Sequence, residues 1–216
     1  MKRHRSTKQR PSQPVTEPQE ALRTFIAIEL DEVTLLALTG IQQQLKSRIP
    51  SHAVRWVNPN GIHLTLKFLG ATPEDRLEEI REAMKTAIEG MAPFEFRVEG
   101  RGCFPNFRQP NVIWVAVRDV GGKLSRLQRA IEDHVAPLGW PTEKRPFRPH
   151  LTLGRVARDL RPDERRAVGE AVETFEVEEI ATVQVSEISL MRSDLLPTGA
   201  RYTRLFAIPL AERAEP

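Results

Sequence analysis

The chain has 216 residues, enough to bury a sizeable core, and its single cysteine, Cys103, excludes an internal disulfide framework. No apolar run approaches the ~20 residues that span a bilayer, and no secretory signal is present, so the expected location is the cytoplasm. Residues 1–20 carry a net charge of +3, which equals that of the whole chain. The remaining body is therefore neutral, which argues against a surface that binds nucleic acid over a large area.

Composition divides the chain into a short tail and one domain. Residues 1–20 combine basic side chains with Pro, Gln and Ser and lack apolar periodicity, so we expect a disordered basic tail. Residues 21–212 carry the periodic apolar segments, and we expect them to form a single domain.

Short runs rich in β-branched and aromatic residues predict the strands. They span residues 23–30, 53–57, 61–70, 94–100, 112–117 and 149–155, with several further strands between 177 and 208. Apolar residues at helical spacing predict four helices between these strands. Their start signals are Asp31 as an N-cap, Thr72 as an N-cap hydroxyl before Pro73, the pair Gly121 and Gly122, and Pro162.

The predicted elements repeat in order, because a strand, a helix, two strands and a second helix occur twice. This order predicts an α+β fold with two lobes related by a pseudo-twofold axis. We expect antiparallel sheets to line a central cleft, with the helices on the outer faces. In that arrangement the strands at 61–70 and 149–155 lie side by side.

Both of these strands contain the sequence His-Leu-Thr-Leu. In residues 61–70, Leu64, Leu66 and Phe68 alternate with His63, Thr65 and Lys67, which is the period of a half-buried strand with one apolar, buried face and one polar face. The unit recurs 87 residues later with His150 and Thr152. A single His-x-Thr is typical of a structural pair, but two copies in equivalent contexts indicate a functional site.

Two imidazoles across a cleft can supply metal-free acid–base chemistry on a phosphodiester, since one nitrogen accepts a proton while the other donates one. The hydroxyls of Thr65 and Thr152 can donate hydrogen bonds to phosphate oxygens, and Arg155 can neutralise the charge of the transition state. Simple alternation places Arg155 on the face opposite His150. It can reach the cleft only if the strand has a kink at Gly154.

Several other residues are weaker candidates. Phe104, Phe107 and Arg148 are candidates for a substrate loop or for stacking a base. Trp56 could also stack a base, although core packing is the alternative for all three aromatic residues. Lys67 is expected at the solvated edge of the cleft. Zinc would need a third protein ligand that neither motif supplies, so we expect no metal and no cofactor.

The sequence resembles the two-histidine phosphoesterase superfamily, and within it the RNA 2′,3′-cyclic phosphodiesterases long called 2′-5′ RNA ligases. The segments that carry the resemblance are R-T-F-I-A-I at 23–28, H-L-T-L-K-F-L-G at 63–70, F-P-N at 104–106 and P-H-L-T-L-G-R at 149–155. The resemblance covers residues 22–210 and implies a bilobal α+β fold with the site between the lobes. It also implies hydrolysis of a terminal 2′,3′-cyclic phosphate to a 2′-phosphate without metal.

The resemblance further implies a role for each motif residue. His150 would activate water and His63 would protonate the leaving 3′ oxygen, while Thr65, Thr152 and Arg155 would bind the phosphate. A reversible 2′-5′ RNA ligase using the same site and a non-catalytic RNA or nucleotide binder are the alternatives. The expected ligands are RNA ends or nucleotides with a 2′,3′-cyclic phosphate, tRNA fragments among them. We expect no membrane partner and a monomer, since no extended apolar seam indicates an obligate oligomer.

Overall fold

The computed structural model describes residues 21–197 and 199–211, which form nine strands and four α-helices. The expected tail at residues 1–20 lies outside this range. The strands are β1 (Ala21–Glu29), β2 (Val54–Trp56), β3 (His63–Pro73), β4 (Phe94–Phe104), β5 (Val112–Arg118), β6 (His150–Val156), β7 (Ala181–Val185), β8 (Glu187–Leu196) and β9 (Gly199–Pro209). The helices are α1 (Glu32–Arg48), α2 (Leu77–Ala87), α3 (Lys123–Val135) and α4 (Pro162–Glu173).

The strands form one antiparallel sheet in the order β7, β4, β5, β6, β3, β1, β8, β9, with β2 paired to the end of β6. Two matching sets of four strands, β9-β8-β1-β3 and β7-β4-β5-β6, meet where β3 lies next to β6. Leu64 of β3 is the register partner of Leu151 of β6. The prediction of an α+β fold with the two motif strands side by side is therefore confirmed, and the two expected sheets are continuous across this junction.

The four helices cover one face of the sheet and form the main hydrophobic core with residues such as Ile26. The opposite face carries a small separate cluster of Phe25, Ala27 and Met191, against which Tyr202 packs. The helices are exchanged between the strand sets: α1 packs against β7 and α4, whereas α3 packs against β3 and α2. None of the described helices is both long and apolar enough to cross a membrane.

Two predicted helix starts have different outcomes. Asp31 caps α1 as predicted, and its Oδ1 accepts a hydrogen bond from Thr34 N at 2.7 Å. The prediction for Thr72 is wrong, because β3 continues to Pro73 through pairing with β1, and α2 begins only after a short 3-10 turn. The Thr72 hydroxyl instead lies 2.7 Å from that of Thr24. Strand pairing here overrides a local capping signal.

Both His-Leu-Thr-Leu units end in a β-bulge. Leu66 of β3 and Leu153 of β6 are each one residue in excess of the neighbouring strand, β1 or β5. Each bulge inverts the alternation that follows it. Lys67 therefore turns into the core at 5% exposure and Phe68 turns outward at 68%, while Arg155 shares the face of the histidines.

Close packing explains the glycine after the second bulge. A Cβ on Gly154 would lie 2.6 Å from Val54 Cγ1 and 3.2 Å from Trp56 Cε3. β2 can therefore approach β6 only because this position has no side chain. The kink expected at this point of β6 is present, and the extra residue that produces it is Leu153.

Candidate active site

The two histidines occupy the first positions of adjacent strands, His63 in β3 and His150 in β6. Each Nδ1 lies near the carbonyl oxygen two residues earlier, at 2.8 Å from Gly61 O and at 2.7 Å from Arg148 O. Because a carbonyl oxygen only accepts, Nδ1 carries the proton in both rings, and the neutral form has its lone pair on Nε2. Within residues 21–197 and 199–211 neither Nε2 has a hydrogen-bond partner. Both are available to a ligand.

Each imidazole lies against aromatic rings of its own strand set. The imidazole of β3 stacks on Phe25 with centroids 4.6 Å apart and meets the edge of Tyr202 at 4.9 Å. The imidazole of β6 meets Phe104 edge to face at 4.8 Å and lies 6.1 Å from Trp114. Gly102 leaves room for that indole, since a Cβ there would be 2.2 Å from ring carbons. These contacts limit the rotation of both imidazoles.

Burial lowers the pKa of both His63 and His150, because desolvation disfavours the imidazolium. The backbone hydrogen bonds raise both pKa values to a smaller extent. Nearby charges distinguish the two rings: Glu29 raises the pKa of His63, whereas Arg155 lowers the pKa of His150. A charge on His150 also lowers the pKa of His63, so the pair favours a single proton. These charges favour that proton on His63.

The difference in charge arises at equivalent positions of the two strand sets. Glu29 of β1 is the register partner of His63, and the corresponding partner of the second histidine is Ala116 of β5. Beyond the bulges, β3 presents Phe68 where β6 presents Arg155. Two similar frameworks thus place an anion beside one imidazole and a cation beside the other.

Thr65 and Thr152 lie half-buried, two residues after each histidine. Their side chains share the face of the imidazoles, because the strands alternate regularly up to the bulges. Neither hydroxyl has a hydrogen-bond partner in the described part of the chain, so both can bind a ligand. Among the same residues, no group of three His, Cys, Asp or Glu side chains is arranged to hold a metal ion.

A cleft of ≈ 510 Å³ begins beside the first histidine. Its lining includes Gly61 and Tyr202, which contact His63, and Arg155 of β6. The rest of the lining comes from β2, from the turn after β2 and from the β8–β9 hairpin. Arg155 thus connects the histidine face with this cleft.

Gln42 of α1 supports the bulge of β6 from the helix side. It is completely buried, and its Nε2 donates hydrogen bonds to Leu153 O and Val57 O, each at 2.9 Å. Val57 N also donates to Leu153 O at 2.9 Å. The extra residue that turns Arg155 toward the cleft is therefore held by an amide from another element.

The bulge of β3 also has a buried contact with a helix beside it, which Lys67 of β3 makes. The prediction that Lys67 is solvated is therefore wrong. Its side chain is 3% exposed and forms an ion pair with Glu132 of α3, and Nζ also donates to Pro141 O at 2.9 Å. Glu132 accepts further hydrogen bonds from Gln128 Nε2 and Glu143 N, both at 3.1 Å. The bulge before Lys67 inverts the alternation on which the prediction rested.

The remaining predicted residues have different surroundings. Phe104 contacts the second imidazole, as described above. Phe107 packs against the core, and its carbonyl oxygen lies 1.7 Å from where a Cβ of Gly169 would be. Arg148 contributes its carbonyl oxygen to the site and exposes its side chain, whereas Trp56 packs against the core at the edge of the cleft. Their roles toward a substrate stay predictions.

Five residues that shape the site were not predicted from the sequence: Phe25, Glu29, Gln42, Trp114 and Tyr202. Phe25, Glu29 and Trp114 lie on β1 and β5, the strands that flank β3 and β6, and only the pairing register shows that they are beside the histidines. Tyr202 lies on β9 and reaches His63 through its ring, a contact that only the folded structure shows. Gln42 had an available signal, because it is a polar residue within the apolar stripe of α1.

The chain is similar to a known protein family and to several of its members. The family model described as the 2′-5′ RNA ligase superfamily matches residues 14–195. A protein of Methanothermobacter thermautotrophicus named RNA 2′,3′-cyclic phosphodiesterase is 36% identical over 182 residues, covering 84% of this chain and 95% of the relative. The protein of that name from Thermus thermophilus is 34% identical over 195 residues, covering 85% and 88%. The solved structure of TT0787, also from Thermus thermophilus, matches with a TM-score of 0.72 at 29% identity, covering 89% of this chain and 100% of that one.

Proposed function

The chain belongs to the 2′-5′ RNA ligase superfamily, and on that premise we propose that it is a metal-independent RNA 2′,3′-cyclic phosphodiesterase. The proposed reaction opens a terminal 2′,3′-cyclic phosphate to a 2′-phosphate. The relatives described above carry the name of this activity. The observation that carries the proposal is the pair of imidazoles on adjacent strands, each with an unpartnered Nε2 and with opposite charges nearby.

The charges assign the two roles. A general base must be neutral before the reaction, and Arg155 favours the neutral form of His150. A general acid must carry a proton; burial lowers the pKa of both histidines, and of the nearby charges Glu29 raises the pKa of His63. We therefore assign His150 as the base and His63 as the acid.

In the proposed step, His150 Nε2 accepts a proton from water while the water oxygen forms a bond to phosphorus. The bond between phosphorus and the 3′ oxygen breaks, and His63 Nε2 donates its proton to that oxygen. The products are a 2′-phosphate and a free 3′-hydroxyl. After the reaction His150 has gained one proton and His63 has lost one. The starting state returns when a proton leaves His150 and another reaches His63 through solvent.

The hydroxyls of Thr65 and Thr152 are proposed to donate hydrogen bonds to the non-bridging phosphate oxygens. Arg155 adds a fixed positive charge at the same face, which stabilises the extra negative charge of the transition state. Phe104 lies beside His150 and is the aromatic ring best placed to contact the terminal nucleotide. Arg148 and Phe107 are assigned no direct contact with it.

Two other activities fit the same residues. The family name favours a reversible 2′-5′ RNA ligase, in which the cyclic phosphate is opened by a ribose hydroxyl instead of water. A non-catalytic RNA binder would hold the phosphate without opening it. We disfavour the binder because lysine or arginine would bind phosphate without two titratable groups of opposed charge preference.

The proposed ligands are RNA ends or nucleotides with a 2′,3′-cyclic phosphate, and tRNA fragments are one such class. The neutral charge of residues 21–216 favours recognition of the terminal phosphate over contacts along a duplex. We further propose that the protein acts as a monomer in the cytoplasm, where its free cysteine stays reduced.

The deciding experiment uses an oligoribonucleotide that ends in a 2′,3′-cyclic phosphate, with excess chelator and phosphorus NMR to identify the product. We expect a 2′-phosphate, with turnover lost in both His63→Ala and His150→Ala. The control is His134→Ala, because this exposed histidine on α3 also donates from Nδ1 to a backbone carbonyl, Ala130 O at 2.8 Å.

Three results would contradict parts of the proposal. Full turnover in either active-site variant would exclude the two-histidine mechanism. A 3′-phosphate product would show that the leaving group is the 2′ oxygen. Binding without any opening would leave the non-catalytic binder as the function.

A further inference from the structure

We infer that Arg55 forms a second anion site, which binds the internucleotide phosphate on the 5′ side of the terminal cyclic phosphate. This inference rests on the proposed function, because it places a second phosphate of the substrate next to the one that Arg155 is proposed to bind. It makes the preferred substrate the end of an oligoribonucleotide rather than a single cyclic nucleotide.

Arg55 and Arg155 are cross-strand neighbours. They are register partners in the antiparallel pair of β2 and β6, so their Cβ atoms leave the same face about 4.5–5.5 Å apart. Both side chains are exposed, and neither forms a hydrogen bond or an ion pair within residues 21–197 and 199–211. Like charges directly opposite each other are destabilising, and an anion bound by each arginine lowers that cost. The pair therefore has the charge pattern of a phosphate site.

The alternation of β2 directs Arg55 toward the cleft. Val54 and Trp56, on either side of it, lie close to Gly154 and pack into the core. The side chain between them therefore leaves from the opposite face, where it lines the ≈ 510 Å³ cleft together with Arg155. The same cleft is lined by Gly61 and Tyr202, which contact His63, so an anion at Arg55 would lie on the side of the site next to that imidazole.

The spacing along β6 separates the two phosphates. Arg155 lies three positions after Thr152, on the order of 7–10 Å further along the strand when the bulge is included. Arg55 is opposite Arg155 and not opposite the motif residues, because β3 occupies that part of the β6 edge. Arg155 can therefore reach the cyclic phosphate while Arg55 reaches the next phosphate of the chain.

Arg201 lines the same cleft and provides a matched control. Its NH2 group lies 3.5 Å from Asp194 Oδ2, so its charge is already partly neutralised. Removal of either arginine lowers the net charge of the cleft by one unit, so the two removals should have the same effect if the cleft attracts RNA only through its net charge. If Arg55 holds one particular phosphate, only its removal should matter.

The test uses two substrates: a dinucleotide ending in a 2′,3′-cyclic phosphate, and the same dinucleotide with an uncharged methylphosphonate link. The measured quantity is the ratio of kcat/KM for the charged over the uncharged link. We expect a ratio of about three to ten at low salt, as for an exposed, well-oriented ion pair, falling toward one as salt rises. Arg55→Gln should bring the ratio to about one, and Arg55→Lys should keep part of it. Arg201→Gln should change it by less than about twofold.

The possible failures are distinguishable. A ratio near one in the unmodified protein, or an equal loss in Arg55→Gln and Arg201→Gln, overturns the second site. If both dinucleotides are opened equally well, the phosphodiesterase function stands and only this inference fails. If neither is opened, the proposed function fails. In that case calorimetry measures the affinity of the protein for each dinucleotide. Equal affinities would overturn the second site as well.

Discussion

Replacing Gln42 with methionine tests whether the amide from α1 holds the bulge that brings Arg155 to the cleft. Methionine has a similar length and no donor, so the core stays filled while the two 2.9 Å hydrogen bonds to Leu153 O and Val57 O are lost. Each lost bond costs about 1 kcal/mol net, or about 2 kcal/mol for the pair.

Two further effects oppose each other in this variant. Val57 O loses a buried donor, and an unsatisfied acceptor costs about 1–3 kcal/mol. Gln42 Oε1 has no partner among the described residues, and its removal recovers part of that cost. We expect a net loss of about 2–3 kcal/mol in the free energy of unfolding, which lowers the Tm by about 4–12 °C for a chain of this size.

The same change should also reduce catalysis. When the bulge at Leu153 relaxes, Arg155 is no longer fixed on the face of the histidines, and misplacing such a group by about 1 Å can cost as much as 100-fold in rate. We expect kcat/KM on a cyclic-phosphate substrate to fall about tenfold or more. Both assays are run well below the Tm of the variant, so that unfolding does not contribute to the lost activity.

The control is Gln43→Met, the same change at the exposed neighbouring position of α1. If both variants unfold at the same Tm, the amide makes no net contribution to stability. If Gln42→Met is destabilised but keeps its full kcat/KM, the bulge stays in place without the amide, and the positioning argument is refuted.

Three further predictions concern ionisable groups. Burial lowers both histidine pKa values from their ordinary value of about 6.5, so kcat/KM should already fall with rising pH below about 6.5, as His63 loses its proton. Glu29→Gln should move that fall to still lower pH by lowering the pKa of His63 further. Lys67→Met should cost about 3–5 kcal/mol in urea unfolding, since Glu132 then stays buried without its cation, and adding Glu132→Leu should recover most of it. Burial raises the pKa of Cys103 to about 12, so at pH 8 iodoacetamide should label it, by mass spectrometry, only after unfolding.

Each of these three has a contrary result. A pH profile that Glu29→Gln leaves unchanged would show that this carboxylate does not act on His63. A loss below about 1 kcal/mol for Lys67→Met would show that the ion pair is solvated. Labelling of native Cys103 at the rate seen in denaturant would show that the thiol is open to solvent.

Local signals predicted much of the fold. Asp31 capped a helix as expected, and the repeated His-Leu-Thr-Leu placed both motif strands and their buried faces correctly. These features depend on neighbours within one or two turns of the chain, which the sequence displays directly. The prediction of a helix start at Thr72 failed because the surroundings of this residue depend on β1, which contains Thr24, 48 residues earlier.

The charge pattern of the site was less accessible. The two bulges are defined by pairing with β1 and β5, so simple alternation placed Lys67 outside and Phe68 inside, the reverse of the structure. The kink near Gly154 was predicted only because Arg155 could not reach the cleft without it. Glu29 gave no signal of its own, since its effect on His63 comes from register alone.

The exchange of helices between the strand sets has a consequence for folding. Gln42 of α1, which follows β1, fastens β6, while Glu132 of α3, which follows β5, fastens β3. Each half of the sheet therefore takes an essential buried contact from a helix connected to the other half. We therefore expect the unfolding of either half to destabilise the bulge of the other half. The proposed acid, His63, and the proposed base, His150, should then be lost together when the protein unfolds.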